Sequence, residues 1–161
     1  MKSADVRATD VAGVTDPACV FCAVIAGALP ASIVAADGLT VAFLDLRQFH
    51  PGHVLIVPRQ HLADIRKVDD RTAAALMVNL ARVARAVDRT FPNDGLSVWH
   101  SAGEGANQEV PHLHFHVHPR RFQDEMLRVY PESPVLPPRA TLDEWAEQLR
   151  SALGGFGATA T

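Results

Sequence analysis

The chain has 161 residues, of which 48% are hydrophobic and 20% charged, and its formal net charge is −3 at pH 7. This length predicts a single domain with a sizeable core, and the charge excludes a general basic surface for a nucleic acid polymer. The most apolar run, residues 18–29, is too short to span a bilayer, and the first residues lack the pattern of a signal peptide. We therefore expect a cytoplasmic protein that binds neither a membrane nor a nucleic acid polymer.

The first half of the chain is predicted to contain a flexible start, a short helix and three strands. Residues 1–16 carry few large apolar side chains, and residues 18–27 are typical of a short helix that Gly27 closes. Asp37-Gly38 lies between two apolar runs, which indicates a hairpin. The run before Pro58 is rich in β-branched residues, which favours a strand. The predicted strands are residues 33–36, 40–45 and 53–57.

The second half is predicted to contain a short helical turn at residues 61–65, a long helix and two strands. Asp69-Asp70 can cap the long helix, which ends before Pro92. Strands follow at residues 96–100 and 112–118. The order of helix, three strands, helix and two strands predicts an α+β domain with an antiparallel sheet. The apolar stripe of the long helix consists of Leu76, Leu80, Val83 and Val87.

After Arg121 the pattern of strands and helices changes. Four prolines between residues 131 and 138 predict an extended arm. The sequence Thr141-Leu-Asp-Glu144 is a capping box, which predicts that a final amphipathic helix starts there. That helix is expected to end near Gly154-Gly155, followed by a disordered tail.

Four of the eight histidines alternate with apolar residues between His112 and His118. Alternation is the period of a β-strand, so Leu113, Phe115 and Val117 should enter the core while the imidazoles line the other face. Same-face neighbours lie roughly 6.5–7 Å apart, close enough to share an anionic ligand, a metal ion or a proton network. A neutral imidazole is also a nucleophile near neutral pH. Metal binding alone is the alternative, and a purely structural polar face would more cheaply use other residues.

The segment that begins His112-Leu-His114-Phe-His116 resembles the signature His-φ-His-φ-His-φ-φ, with φ apolar, of the histidine triad (HIT) family of nucleotide hydrolases and transferases. Gln108 and Pro119-Arg120 also match, whereas His118 stands where an aliphatic residue is usual. Residues 43–45 followed by 51–58 resemble the nucleoside-binding segment of the family. The resemblance is closest to the bacterial branch.

The resemblance implies a HIT-like fold and a homodimer. The fold is an α+β domain with about five antiparallel strands, a long helix and a short N-terminal helix. Two such sheets are expected to meet in the dimer. The predicted organisation is a flexible N-terminus at residues 1–16, the HIT domain at 17–122, a C-terminal arm and helix at 123–153, and a flexible tail at 154–161.

The resemblance further implies a hydrolase or transferase that acts on the α-phosphate of purine nucleotide conjugates, such as phosphoramidates. His114 matches the nucleophile and would become nucleotidylated. His116 would hydrogen-bond the phosphate, and its carbonyl could fix the tautomer of His114. His53 would support this network, although a satisfied strand-start histidine is the alternative, and Gln108 would donate to a phosphate oxygen. The alternative functions are a dinucleoside polyphosphate hydrolase and a non-catalytic regulatory module that binds zinc or a nucleotide.

Further residues are implied to bind the nucleotide. Asp45 would hold the ribose hydroxyls, because two donors can share a carboxylate, although a strand-end turn residue is the alternative. Two positions depart from the family: Ser101 stands where Asn is common, and Glu109 where a small hydroxyl residue is found. Phe21, Val24 and Leu46 would line the base pocket, and core packing explains them equally well. The full implied nucleotide-binding set is Asp45, Leu46, Phe21, Val24, Ser101, Gln108 and His116.

Cys19 and Cys22 form a C-x-x-C pair, whose spacing favours metal binding or redox chemistry over a structural disulfide. In zinc-bearing branches of the family, two histidines complete the site. The matching residues here are His61, after Pro58-Arg59-Gln60, and His112. The resemblance thus implies a closed, structural zinc site with four protein ligands. Two buried thiols on a helix are the alternative. His50 and His100 receive no role.

Overall fold

The computed structural model describes residues 15–127 and 134–153. Most of the predicted flexible N-terminus, part of the predicted arm and the predicted tail therefore lie outside the described residues. The contacts divide the chain into two compact units, at residues 1–126 and 127–161, and each is described by itself. The predicted domain boundaries remain a prediction. Within the described ranges, no helix combines the length and the apolar character that crossing a membrane requires.

The first unit contains two helices and five strands. The helices are α1 at Val20–Ile25 and α2 at Asp70–Thr90, and the strands are β1 at Ile33–Ala36, β2 at Thr40–Leu44, β3 at Val54–Pro58, β4 at Gly95–Trp99 and β5 at Phe115–Arg120. Two short 3₁₀ turns lie at Ile65–Lys67 and Glu104–Ala106. The second unit contains α3 at Arg139–Ala152.

The five strands form one sheet in the order β1-β2-β3-β5-β4, and every neighbouring pair is antiparallel. The predicted α+β class, the five-stranded antiparallel sheet and the order of the elements are confirmed. Strand β5 lies between β3 and β4, where His116 is opposite both Leu55 and Trp99. The strand that carries the histidines is therefore an interior strand, with a neighbouring strand on each side.

Helices cover both faces of the sheet. On one face, α2 packs its predicted apolar stripe against a core that includes Ile56, Leu113 and Val117. On the other face, the segment of Cys19 and α1 packs against a second apolar cluster that includes Phe43 and Leu55. Because successive side chains of a strand point to opposite faces, β3 contributes side chains to both clusters and is buried along its whole length. Asp69 caps α2 as predicted, since its Oδ1 accepts from the Thr72 N–H at 3.0 Å.

Three sequence predictions about element bounds were wrong. Strand β5 begins at Phe115 and not at His112, because the Leu113 N–H pairs with the Leu62 carbonyl at 2.6 Å, outside the sheet. The turn predicted at residues 61–65 lies instead at 65–67, where the Asp64 side chain caps it. Helix α3 begins before the predicted capping box, and no side chain caps it.

Candidate functional site

The imidazoles of the histidine segment lie on the face of the sheet opposite α2, as the alternation predicts. Leu113 and Val117 are buried in the core beneath α2. On the opposite face, the ring of Phe21 in α1 contacts the rings of His112 and His114 edge-on, with centroids 5.8 and 5.3 Å apart. The described residues thus assemble a row of imidazoles, of which His116 is half-buried and the other three are buried.

The tautomer of His114 follows from a single hydrogen bond. Its Nδ1–H donates to the main-chain carbonyl of His112 at 2.6 Å, so Nε2 carries the lone pair. The expectation that the His116 carbonyl fixes this tautomer was wrong, because residue 112 supplies the acceptor. Nε2 has no hydrogen-bond partner among the described residues and is not fully buried, although only 6% of the residue is exposed. Burial lowers the pKa of His114, which favours the neutral ring.

His116 and His53 form a directed pair. The His53 Nδ1–H donates to the Arg47 carbonyl at 2.8 Å, so its Nε2 accepts the Nδ1–H of His116 at 2.9 Å. This leaves a lone pair on Nε2 of His116. Trp99 stacks on the His116 ring, with centroids 4.3 Å apart and planes 4° from parallel. Burial, with the neighbouring imidazoles of His114 and His53, lowers the pKa of His116 to about 3.

Asp45 directly follows β2 and faces the same pair. Its Oδ1 accepts from the Arg47 N–H at 2.7 Å, and its Oδ2 lies 3.7 Å from Nδ1 of His53. Only 10% of its side chain is exposed. The bond to Arg47 fits the alternative of a turn residue, while Oδ2 has no hydrogen bond among the described residues. The ribose role remains a prediction.

The other residues implied to bind the nucleotide differ in their surroundings. Phe21 is buried, and Val24 is half-buried against the same apolar cluster. Leu46 is 97% exposed, so core packing does not explain it. Ser101 is half-buried, and its hydroxyl forms no hydrogen bond to the described residues.

Gln108 is engaged by its own loop and by the segment of Ala63. Its Oε1 accepts from the Gly103 N–H at 2.7 Å. Its Nε2 donates to the carbonyls of Ala63 at 2.6 Å and Val110 at 3.0 Å. The side chain therefore braces the loop that precedes the histidine segment. Direct donation to a phosphate remains a prediction and requires one of these bonds to open.

The four residues implied as metal ligands lie together: Cys19, Cys22, His61 and His112, whose ligand atoms are all within 4.8 Å of one another. Nδ1 of His112 lies 3.4 Å from Sγ of Cys19 and 3.7 Å from Sγ of Cys22, and Nδ1 of His61 lies 3.4 Å from Sγ of Cys22. Tetrahedral Zn²⁺ with bonds of about 2.3 Å to sulfur and about 2.0–2.1 Å to nitrogen separates S and N by about 3.6 Å. The spacing therefore fits a single tetrahedral ion, and this group could hold a metal.

The surroundings of this cluster orient its ligands. The Nε2–H of His112 donates to the Pro58 carbonyl at 3.0 Å, so its Nδ1 lone pair faces the sulfur atoms. Nε2 of His61 lies 3.8 Å from the Asp16 carboxylate, the kind of carboxylate partner that metal-binding histidines often have. Burial raises the pKa of the Cys22 thiol, a cost that a bound cation removes by stabilising the thiolate.

Sequence reasoning missed the part that His100 plays. Its Nδ1–H donates to the His114 carbonyl at 2.9 Å, and its Nε2 accepts from the Ile65 N–H at 3.4 Å. His100 therefore holds the main chain of the histidine segment. A lone histidine after β4 belongs to no sequence pattern. The one available signal was that it directly precedes Ser101, a residue implied to bind the nucleotide.

Two further histidines, His118 and His50, lie near the residues described above. His118 is 1% exposed. Its Nδ1–H donates to the Pro119 carbonyl at 2.6 Å, and its Nε2 is the one buried side-chain polar atom without a hydrogen bond in the described part of the chain. The ring centroid of His118 lies 4.7 Å from that of His53. His50 donates from Nε2 to Asp124 at 3.1 Å.

The fold and the row of imidazoles define an α+β protein with a histidine-lined site. The model of the HIT domain matches residues 26–123, and the chain therefore belongs to the HIT family.

Known relatives and structures agree with this assignment. "Protein hit" of Bacillus subtilis is 36% identical over 102 residues, which cover 63% of this chain and 70% of that protein. Adenosine 5'-monophosphoramidase hnt1 of Schizosaccharomyces pombe is 30% identical over 120 residues, which cover 74% of this chain and 87% of that protein. A crystal structure from Streptococcus mutans UA159 has a TM-score of 0.80 and 31% identity, covering 86% of this chain and 87% of that one.

Proposed function

We propose that this protein hydrolyses purine nucleotide conjugates at the α-phosphate, phosphoramidates above all, with His114 as the nucleophile. The observation that carries the proposal is the bond from Nδ1 of His114 to the His112 carbonyl. It fixes the tautomer in which Nε2 carries the lone pair of the nucleophile. The name of the fission yeast relative, adenosine 5'-monophosphoramidase, supports the substrate class.

The reaction runs in two steps. First, the Nε2 lone pair of His114 attacks the α-phosphorus; the N–P bond forms while the bond to the leaving group breaks. The leaving amine departs with the electron pair and takes a proton, which gives a nucleotidyl-histidine. Water then attacks the same phosphorus, and the electron pair of the N–P bond returns to the ring. One proton of that water goes to solvent, and the mononucleotide is released.

His116 serves the phosphate and the leaving group. In the free protein its Nε2 carries a lone pair, because Nδ1–H is committed to His53. An anionic phosphate beside this nitrogen favours its protonation. Nε2 therefore takes a proton from solvent as the nucleotide binds, donates a hydrogen bond to a phosphate oxygen, and passes the proton to the leaving amine. His53 fixes the orientation of the ring.

The nucleoside lies between the loop of Asp45 and α1. The free Oδ2 of Asp45 accepts from the ribose hydroxyls. Phe21 and Val24 contact the base from α1, and the exposed Leu46 covers it from the other side. Ser101 donates to the phosphate. The N–H groups of Glu104 and Gly105 add to it, because the N–H groups of residues 103 and 106–108 are already bonded within the loop. Gln108 holds that loop and reaches the phosphate when its bond to Val110 opens.

We also propose that the Cys19, Cys22, His61 and His112 cluster holds zinc. Four protein ligands leave no open position, so the ion has a structural role and ties the N-terminal segment to the histidine segment. Elemental analysis of protein purified without added metal should find about one zinc per chain. Loss of zinc in a Cys19→Ser variant supports the assignment, and full retention contradicts it.

The catalytic proposal is tested by trapping the intermediate. Wild-type protein mixed rapidly with an adenosine phosphoramidate should gain the mass of one adenylyl group on a histidine-containing peptide. His114→Ala should neither gain this mass nor release AMP, while His50→Ala, a histidine outside the proposed machinery, should do both. Release of AMP by His114→Ala at the wild-type rate contradicts the proposal. Nucleotide binding without turnover of any conjugate supports the regulatory module instead.

A dinucleoside polyphosphate hydrolase uses the same nucleophile. Faster turnover of diadenosine tetraphosphate than of adenosine phosphoramidate would favour this alternative.

We further propose that the protein is a cytoplasmic homodimer. Strand β4 lies at an edge of the sheet, where its main chain can pair with a second copy, and 45% of Val98 is exposed. Cys19 and Cys22 form no disulfide, which fits a reducing compartment. Light scattering tests the dimer, and cell fractionation tests the location.

A further inference from the structure

Arg47 and Glu109 join two loops next to the imidazole row. The guanidinium donates through both terminal nitrogens to the two carboxylate oxygens, at 3.1 and 2.8 Å. Such a bidentate pair is the strongest hydrogen-bonding geometry between a guanidinium and a carboxylate. The residues are 62 positions apart, so the pair joins the loop after β2 to the loop before the histidine segment.

The main chain of Arg47 is part of the site. Its N–H donates to Oδ1 of Asp45 at 2.7 Å, and its carbonyl accepts from Nδ1 of His53 at 2.8 Å. Glu109 directly follows Gln108, which braces its loop. The main-chain segments that carry both charged side chains are thereby anchored beside the proposed nucleotide site.

Stability does not account for this pair. Its side chains are 74% and 66% exposed, and exposed ion pairs contribute little to folding because water and salt screen them. The pair instead lies where the loop after β2 meets the loop before the histidine segment, next to Asp45 and His53, which both bond the main chain of Arg47.

We propose that Glu109, held in place by Arg47, is a specificity-determining residue that disfavours leaving groups with further phosphates and favours uncharged or cationic amines. This inference rests on the proposed function and names its leaving-group class. The phosphates of a longer leaving group approach the Arg47 guanidinium, whose charge is already paired with Glu109. If one of these phosphates displaces Glu109, a free carboxylate remains beside the added negative charge. An amine leaving group leaves the pair intact.

The test compares wild type with Glu109→Gln, which keeps the size of the side chain and removes its charge. We expect Glu109→Gln to raise kcat/KM for diadenosine tetraphosphate, relative to an adenosine phosphoramidate, about tenfold or more at low salt. Glu109→Asp, which restores the charge, should return the ratio toward the wild-type value. The difference between the variants should shrink as salt is raised. A ratio that stays within twofold of wild type in Glu109→Gln overturns the proposal.

A binding experiment separates this proposal from the catalytic one. In a His114→Ala background, the ratio of the Kd for ADP to the Kd for AMP is measured by calorimetry with and without Glu109→Gln. The proposal expects Glu109→Gln to strengthen ADP binding relative to AMP, whether or not the wild-type protein turns over any conjugate. An unchanged ratio overturns it. Arg47→Ala, which keeps the main-chain bonds of residue 47, should shift the ratio in the opposite direction because Glu109 is then unpaired.

Discussion

The carbonyl of His112 accepts the Nδ1–H of His114 at 2.6 Å, while the Nδ1 of His112 lies 3.4 Å from Sγ of Cys19. One residue thus connects the proposed metal cluster to the proposed nucleophile, through its main chain on one side and its ring on the other. Whatever fixes the ring of His112 also fixes the carbonyl that selects the reactive tautomer of His114.

This connection predicts that Cys22→Ser lowers both the stability of the protein and the reactivity of His114. Cys22 lies within 3.7 Å of both histidines of the cluster, so its loss should remove the metal. We expect the free energy of unfolding to fall by about 3 kcal/mol and the rate of adenylylation of His114 to fall with it. Chemical denaturation, zinc content and burst-phase kinetics measure the three effects. A variant that keeps its metal and its burst amplitude would show that the two sites are independent.

The His53–His116 hydrogen bond gives a second prediction. His53→Ala removes the acceptor that holds Nδ1–H of His116, so the ring proposed to bind the phosphate loses its fixed orientation. We expect kcat to fall about 10²-fold, with a smaller change in KM. Steady-state kinetics checks this, with His50→Ala as the matched histidine control. If His53→Ala changes KM alone, His53 serves binding and does not position a catalytic group.

The sequence predicts the fold and the shared face of the histidines because alternation, breaker residues and apolar periodicity are local signals. The four residues that the resemblance implies as metal ligands also lie together in the structure. Other features depend on contacts that no local pattern encodes. The bond of His100 to the His114 carbonyl and the pairing of Arg47 with Glu109 connect distant loops. The helix α3 starts ahead of its capping box because a capping pattern permits a start but does not compel one.

The loop that carries His53 supplies a third prediction. Gly52 has φ of +105°, and a Cβ built there would lie 2.5 Å from a ring carbon of Phe91. Both the backbone conformation and the ring oppose a larger residue, so Gly52→Ala should lower the free energy of unfolding by about 2–4 kcal/mol. Gly38→Ala is the matched control, since no heavy atom lies within 4 Å of its Cβ position. Urea denaturation compares the two, and equal stabilities would contradict the prediction.

The buried ring of His118 gives a prediction about pH. Burial, more than any other influence, lowers the pKa of His118 below its ordinary value of 6.5, so the unfolded chain binds a proton that the folded protein excludes. The stability contributed by this neutral ring is fully present above pH 6.5 and is lost as pH falls through the window below it. The lowered pKa of His116, about 3, acts in the same direction.

His118→Phe removes one of these titrating rings and keeps an aromatic side chain of similar shape. The wild-type free energy of unfolding should fall between pH 7.5 and pH 5, and the fall should be smaller in His118→Phe. Five Asp and Glu residues also have lowered pKa values, but these groups titrate mainly below this pH window. The difference between the two proteins therefore reports the histidine. Chemical denaturation at several pH values measures it. Parallel profiles for the two proteins would mean that residue 118 is protonated in the folded state as readily as in the unfolded chain.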